Sequence, residues 1–174
     1  MRKPVTTFLL VEDDPNDVLI VQQEFKRASK NIRLMTVSDG IEAKRYLEGK
    51  DEYRDRFKFP LPHVILLDLK MPRFSGFDFL EWLRSKAPDQ LHFIPVVVLS
   101  SSTLPQDIVR AYALGVSSYM TKPVNWEEFR RRLHSLATYW AENVETPEFP
   151  ITVPLNKSVP AASEAYRLAH SHPL

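Results

Sequence analysis

Five times between Phe8 and Trp140 a short apolar run is followed by a longer stretch with one apolar face, and that alternation leaves few folds open. The runs are Phe8 to Val11, Ile32 to Val37, Val64 to Asp68, Ile94 to Ser100 and Ser118 to Thr121. Each is too short for a helix and is bounded by turn formers, so each reads as a strand. The third is apolar up to its last residue and the fourth is centred on Val96-Val97-Val98, as in central parallel strands covered on both faces. Parallel strands need crossovers, and the intervening stretches have helical spacing. Val18, Val21, Phe25 and Ala28 mark the first helix, Ala43 and Leu47 the second, and Phe79, Leu80 and Leu83 the third. Ile108 and Ala111 mark the fourth, and Trp126, Phe129, Leu133, Leu136 and Trp140 form a one-sided stripe in the fifth, with Trp126 and Phe129 expected in the core. Asp14-Pro15 suits a helix start, and Gly49 and Gly115 suit helix ends. The fold class that follows is α/β: a five-stranded parallel sheet with helices on both faces.

The chain of 174 residues is long enough for one such domain, expected over residues 1–145. The charged, aromatic-studded connection from Lys50 to Pro62 is longer than most in α/β domains. Beyond Val144 the composition shifts: five of the 14 prolines and no glycine fall there, so residues 146–174 are expected to be an extended or disordered tail. Ala161 to Ala169 is compatible with a short helix, and His170 and His172 stand as an isolated pair with no further metal-ligand pattern. A net charge of +1 gives no electrostatic case for nucleic acid or an anionic membrane. No run approaches the roughly 20 apolar residues of a membrane span. Without cysteine the chain has no disulfide or thiol chemistry, which fits a cytoplasmic protein.

In an open parallel sheet, ligands bind beyond the carboxyl ends of the strands. At those ends stand Glu12, Asp13 and Asp14 after the first strand, Asp68 at the third, Ser100 and Ser101 at the fourth, and Lys122 at the fifth. Carboxylates held together repel by roughly 1 to 4 kcal/mol per pair, and a hard divalent cation offsets that. Asp68, on a rigid buried strand, is suited to act as a nucleophile towards phosphorus. Lys122 supplies charge and Ser100 a hydroxyl donor. Asp14 and Asp17 read as solvated acids of a helix start, Ser101 and Ser102 as small residues beside the site. Arg130, Arg131 and Arg132 point in three directions, without aromatic interleaving, and read as an exposed face free to pair with another subunit.

Val11-Glu12-Asp13-Asp14, Leu67-Asp68-Leu69-Lys70-Met71-Pro72 with Gly76, Val96 to Ser101, and Tyr119-Met120-Thr121-Lys122-Pro123 together resemble the CheY-like receiver domains of two-component response regulators, over about residues 5–142. The resemblance implies a (βα)5 fold in which Glu12 and Asp13 are the acidic pair and Asp68 is the phosphoacceptor. It implies Mg²⁺ held by Asp13, Asp68 and the backbone carbonyl of Lys70, with Glu12 acting partly through water. Ser100 takes the switch hydroxyl position, Lys122 the lysine before a cis Pro123, and Tyr119 the aromatic switch position. The long connection, the fourth strand and the Lys-Pro-Val-Asn-Trp start of the last helix look like the stand-alone regulators paired with bacterial phytochromes. The implied partners are a sensor histidine kinase and a downstream protein target, with no enzymatic activity beyond the domain's own phosphotransfer and slow autodephosphorylation. A phosphorelay intermediate and an unphosphorylated scaffold are the alternative readings. An aspartyl phosphatase is disfavoured, because Lys70 stands where its second acid belongs. Leu104, Val109 and Tyr112, with Tyr119, form a possible dimer face on the fourth helix, fifth strand and fifth helix.

Overall fold

The computed structural model describes residues 5–72 and 74–146; the short helix expected at 161–169, and His170 and His172, lie outside the described residues. Five strands, β1 (Thr6–Val11), β2 (Ile32–Val37), β3 (Val64–Leu67), β4 (Val96–Ser100) and β5 (Ser118–Thr121), pair in parallel in the order β2-β1-β3-β4-β5. They alternate with five helices: α1 (Pro15–Ala28), α2 (Gly40–Glu48), α3 (Gly76–Ser85), α4 (Pro105–Ala113) and α5 (Trp126–Glu142). This is the α/β fold expected from the alternation of apolar runs.

The side-chain period of two sorts each central strand between two cores. Leu9, Val11, Ile65, Leu67, Val96 and Val98 face Ala43, Phe79, Leu83 and Ala111 of α2, α3 and α4. Phe8, Leu10, Val64, Leu66, Val97 and Leu99 face Val21, Phe25, Phe129 and Leu133 of α1 and α5. Burying each of the Val, Leu, Ile and Phe side chains among these is worth about 1.5–3 kcal/mol, so the two cores hold the carboxyl edge of the sheet on a stiff base. Helix ends follow the sequence closely. Asp14 accepts the Asn16 N–H at 2.8 Å, Ser75 and Asp78 form a reciprocal cap on α3, and Asn125 accepts the Glu128 N–H at 3.0 Å. Gly115, with φ of 73°, takes the left-handed turn that ends α4.

Two guanidinium groups tie down segments that lack regular structure. Arg56, in the long connection, donates to the carbonyls of Tyr46, Leu47 and Phe59 at 2.8, 2.7 and 3.2 Å, which satisfies open carbonyls at the end of α2. Tyr46, Tyr53 and Phe59 pack against one another in tilted and edge-to-face pairs with ring centroids 5.0 to 6.1 Å apart, so the connection is pinned at its middle. Arg84 of α3 donates to the carbonyls of His92, Ile94 and Gly115 at 2.7, 3.1 and 3.0 Å, linking α3 to the segments that enter β4 and β5.

Three expectations change. Asp68 sits one residue past β3, and β4 begins at Val96 because Pro95 has no N–H to give to the ladder. Trp126 is 56% exposed: it opens α5, ahead of the stripe, and the buried face runs through Phe129, Leu133, Ala137 and Trp140. Arg130 is not free for a second subunit, since its Nε donates to Glu24 of α1 at 2.7 Å. Arg132 likewise pairs with Glu128 and with the Thr121 carbonyl. Among the described residues no helix is long and apolar enough to cross a membrane.

Candidate functional site

β1 and β3 are neighbours, but the chain leaves β1 into α1 on one face of the sheet and β3 into α3 on the other. A crevice opens at their carboxyl ends, the position where such sheets bind ligands. Glu12 and Asp13 follow β1, and Asp68 follows β3. Their backbones are fixed by the sheet: the Glu12 N–H donates to the Val37 carbonyl at 3.1 Å and the Asp68 N–H to the Val11 carbonyl at 3.0 Å. One carboxylate oxygen from each of Glu12, Asp13 and Asp68 lies within 4.8 Å of the others, with Glu12 and Asp68 buried and Asp13 exposed. This all-carboxylate, all-oxygen donor set fits a hard divalent cation.

Lys122 enters from the end of β5, where its N–H donates to the Ser100 carbonyl at 2.8 Å. Its ammonium stands 2.7 Å from Glu12 Oε2, 2.7 Å from Asp17 Oδ2 and 3.7 Å from Asp68 Oδ1, with the side chain 13% exposed. Asp17 is therefore no solvated helix acid, in contrast to Asp14, which does cap α1. It lies four residues before Val21 and seven before Glu24, on the face of α1 turned towards α5. That spacing was the available signal.

Three carboxylates now share one ammonium, with Asp13 close by, and the proton affinities follow. Burial pushes the Glu12 carboxyl up to about 7, against the opposing pull of Lys122, with Asp68 repelling it further. Burial likewise raises Asp68, opposed by the Lys122 charge and by N–H groups of Lys70 and Leu69, and aided by Asp13. For Lys122, burial works against the charge, but the charges of Asp68 and Glu12 and the hydrogen bonds the ammonium donates to Asp17 and Glu12 outweigh it and hold the ammonium above its ordinary range. The site carries an excess of negative charge that a divalent cation would offset.

The remaining predicted residues surround this centre. Ser100 is fully buried, and its hydroxyl accepts the Ser102 N–H at 3.2 Å. Ser101 is exposed, whereas Ser102, expected as a small residue beside the site, is a buried junction. Its hydroxyl donates to Asp107 at 2.5 Å, and its carbonyl accepts the Tyr119 hydroxyl at 2.9 Å. Tyr119 is half-buried and turned against the core beneath α4. The Lys70 side chain is exposed, and Pro123 is half-buried at the junction between Lys122 and α5. Leu104, Val109 and Tyr112 lie 50%, 57% and 51% exposed on and beside α4, so they differ from Tyr119, which faces inward.

Comparison with known proteins gives the same picture. The model of the response regulator receiver domain matches residues 8–134. The chain belongs to the response regulator receiver family. Response regulator Rcp1 of Synechocystis sp. is 34% identical over 144 residues, spanning 83% of this chain and 95% of that protein. Among solved structures, the phosphorylated cyanobacterial phytochrome response regulator RcpA superposes with a TM-score of 0.76 at 32% identity, covering 83% of this chain and 99% of its own. The Mn²⁺-bound form of Rcp1 gives 0.75 at 34% identity, covering 82% and 99%. This receiver is thus related to phytochrome response regulators, and its family is one of signalling domains that bind a divalent metal.

Proposed function

We propose that this receiver takes a phosphoryl group on Asp68 from a phosphohistidine of a sensor kinase of the phytochrome type, and that the phosphorylated state signals by changed contact with a protein target. The observation that carries the reading is the ammonium of Lys122, 2.7 Å from Glu12 and 3.7 Å from Asp68, beside three carboxylates within 4.8 Å. An Asp68 carboxylate oxygen attacks phosphorus, the phosphorus–nitrogen bond breaks, and its electron pair stays on the donor imidazole. Burial and the fixed backbone of Asp68 hold the attacking oxygen in place, so little ordering remains to be done at the moment of reaction. Lys122 leaves part of its carboxylate contacts to meet the new phosphoryl oxygens, and the buried Ser100 hydroxyl turns to donate to them.

Asp13, Asp68 and the carbonyl of Lys70 would hold Mg²⁺, with Glu12 acting through water. When bound, the cation supplies positive charge to the transferring phosphoryl group. Lys70, two residues past Asp68, stands where an aspartyl phosphatase carries its second carboxylic acid, which disfavours multiple-turnover phosphatase activity.

The switch runs from Ser100 through Ser102 to the Tyr119 hydroxyl and Asp107, so that a shift at Ser100 reaches the start of α4. Leu104, Val109 and Tyr112 form the apolar part of a surface for a second copy or a target; light scattering that shows only monomer at tens of micromolar, with and without phosphorylation, would exclude the dimer. A reducing cytoplasm suits this cysteine-free chain.

Incubation with acetyl phosphate and Mg²⁺, followed by intact mass, tests the central step. A single phosphoryl adduct that disappears with EDTA and in Asp68→Asn is expected. An adduct that persists in Asp68→Asn would overturn the assignment.

A further inference from the structure

Lys122 has three N–H bonds to give, and in this state none reaches Asp68 at hydrogen-bonding distance. Two are taken by Glu12 and Asp17, both at 2.7 Å, while Asp68 waits at 3.7 Å. Glu12 is anchored in its own right, since its other oxygen accepts the Asp14 N–H at 3.1 Å. Asp17 comes from a different element, the first turns of α1, and its position there is set by packing and not by the lysine. Pro15 and the Asp14 cap start the helix, Val21 and Phe25 bury its inner face, and Glu24 ties it to Arg130 of α5 at 2.7 Å. Helix α1 therefore presents Asp17 to Lys122 as a fixed, competing anion.

We propose that Asp17 is a positioning residue that competes with Asp68 for the Lys122 ammonium, and so sets how readily the site accepts and keeps a phosphoryl group. The inference rests on the reading of Asp68 as phosphoacceptor. A phosphoryl group on Asp68 brings new anionic oxygens, and Lys122 can donate to them only by releasing a carboxylate. Asp17 is the carboxylate outside the metal-binding trio, so it is the one whose release costs the trio nothing. Removing its charge while keeping its shape leaves the ammonium to Glu12 and Asp68. Its hold on Lys122 is a charge-assisted hydrogen bond, about twice as strong as a neutral one.

The test titrates beryllofluoride, a mimic of the phosphoryl group, with Mg²⁺ into the full chain, read by the ¹⁹F signal of the bound species. Wild type is compared with Asp17→Asn, Asp17→Ser and Asp17→Glu, with circular dichroism as the check on folding. Asp17→Asn and Asp17→Ser are expected to bind the mimic roughly tenfold more tightly, the difference that goes with releasing one charge-assisted hydrogen bond. Asp17→Glu, which restores the anion, is expected near wild type. If both neutral variants fold but bind no more tightly than wild type, Asp17 only packs α1 and the inference is overturned. If wild type itself fails to bind, the phosphoacceptor reading falls and takes this inference with it; binding in wild type without tightening in the variants removes the inference alone.

Discussion

Gly76 opens α3 against the backbone that carries Asp68, and replacing it by alanine tests how tightly fold and site are joined. An alanine Cβ there would lie 2.3 Å from the Asp68 carbonyl oxygen, 2.7 Å from Leu69 Cα and 3.1 Å from the Asp68 carbonyl carbon. Ordinary contact begins near 3.4 Å, so one of the two backbones must move by about 1 Å. Neither moves freely. The Asp68 N–H is bonded to Val11 at 3.0 Å, the Gly76 N–H to the Leu69 carbonyl at 3.1 Å, and Ser75 and Asp78 cap the helix on the other side. Overpacking of this kind costs about 1–3 kcal/mol, and the upper end applies because no side chain can rotate away. Alanine's better helix propensity returns up to about 1 kcal/mol, so a net loss of roughly 2 kcal/mol is expected. Gly40 supplies the control. There the added Cβ would meet the half-buried Phe74 ring at 2.5 and 3.2 Å, which can turn, and backbone only at 3.3 Å, the Phe74 carbonyl oxygen, a shift of about 0.1 Å, so Gly40→Ala should cost less than Gly76→Ala, about 1 kcal/mol. Urea unfolding gives both numbers. A 1 Å displacement of Asp68 from Lys122 should also slow phosphorylation by acetyl phosphate by about a hundredfold in Gly76→Ala. Gly76→Ala with wild-type stability and rate, or a larger loss in Gly40→Ala, would refute the reasoning.

Two further outcomes follow from buried charge. Glu12 is raised from 4.5 to about 7 by burial, so between those values the folded protein keeps a proton that the unfolded chain releases. Stability in EDTA should therefore fall as pH rises across that window, by up to roughly 3 kcal/mol, with the raised Asp68 adding in the same direction. Urea midpoints against pH check this, and an equal slope in Glu12→Gln would contradict it. Arg84→Met leaves the His92, Ile94 and Gly115 carbonyls without their donor, which should cost about 2–4 kcal/mol in the same assay. A loss under about 0.5 kcal/mol would mean water replaces the guanidinium.

The fold was legible because its information is local. Each of the central strands β3 and β4 is a nearly unbroken apolar run, each helix has a stripe, and Asp14, Gly49 and Gly115 mark where elements change. Glu12, Asp13, Asp68 and Lys122 were legible as a set because parallel topology brings strand ends to one edge whatever their distance in sequence. Asp17 and Glu24 were not, because an acid in the first turn of a helix, like one further along a surface helix, is usually solvated. Their positions on the Val21 and Phe25 face were the clue, since an acid in an apolar stripe calls for a cation. Lys122 and Arg130 are those cations, and neither pairing can be read without knowing that α1 lies against α5. Trp126 misled for the converse reason: spacing assigns it to the stripe, but the helix begins at that residue and the core does not reach it. Ser102 gave no signal at all, because its role depends on the turn that its own backbone makes.

The most direct test asks which side chain holds the phosphoryl group. Protein treated with acetyl phosphate and Mg²⁺ is reduced with borohydride, which converts an aspartyl phosphate to homoserine, and the peptides are then sequenced by mass. The account predicts conversion at Asp68 alone, dependent on Mg²⁺ and on Lys122. Conversion at Asp13 or Asp17 instead, or a phosphoryl adduct that leaves Asp68 intact, would contradict it.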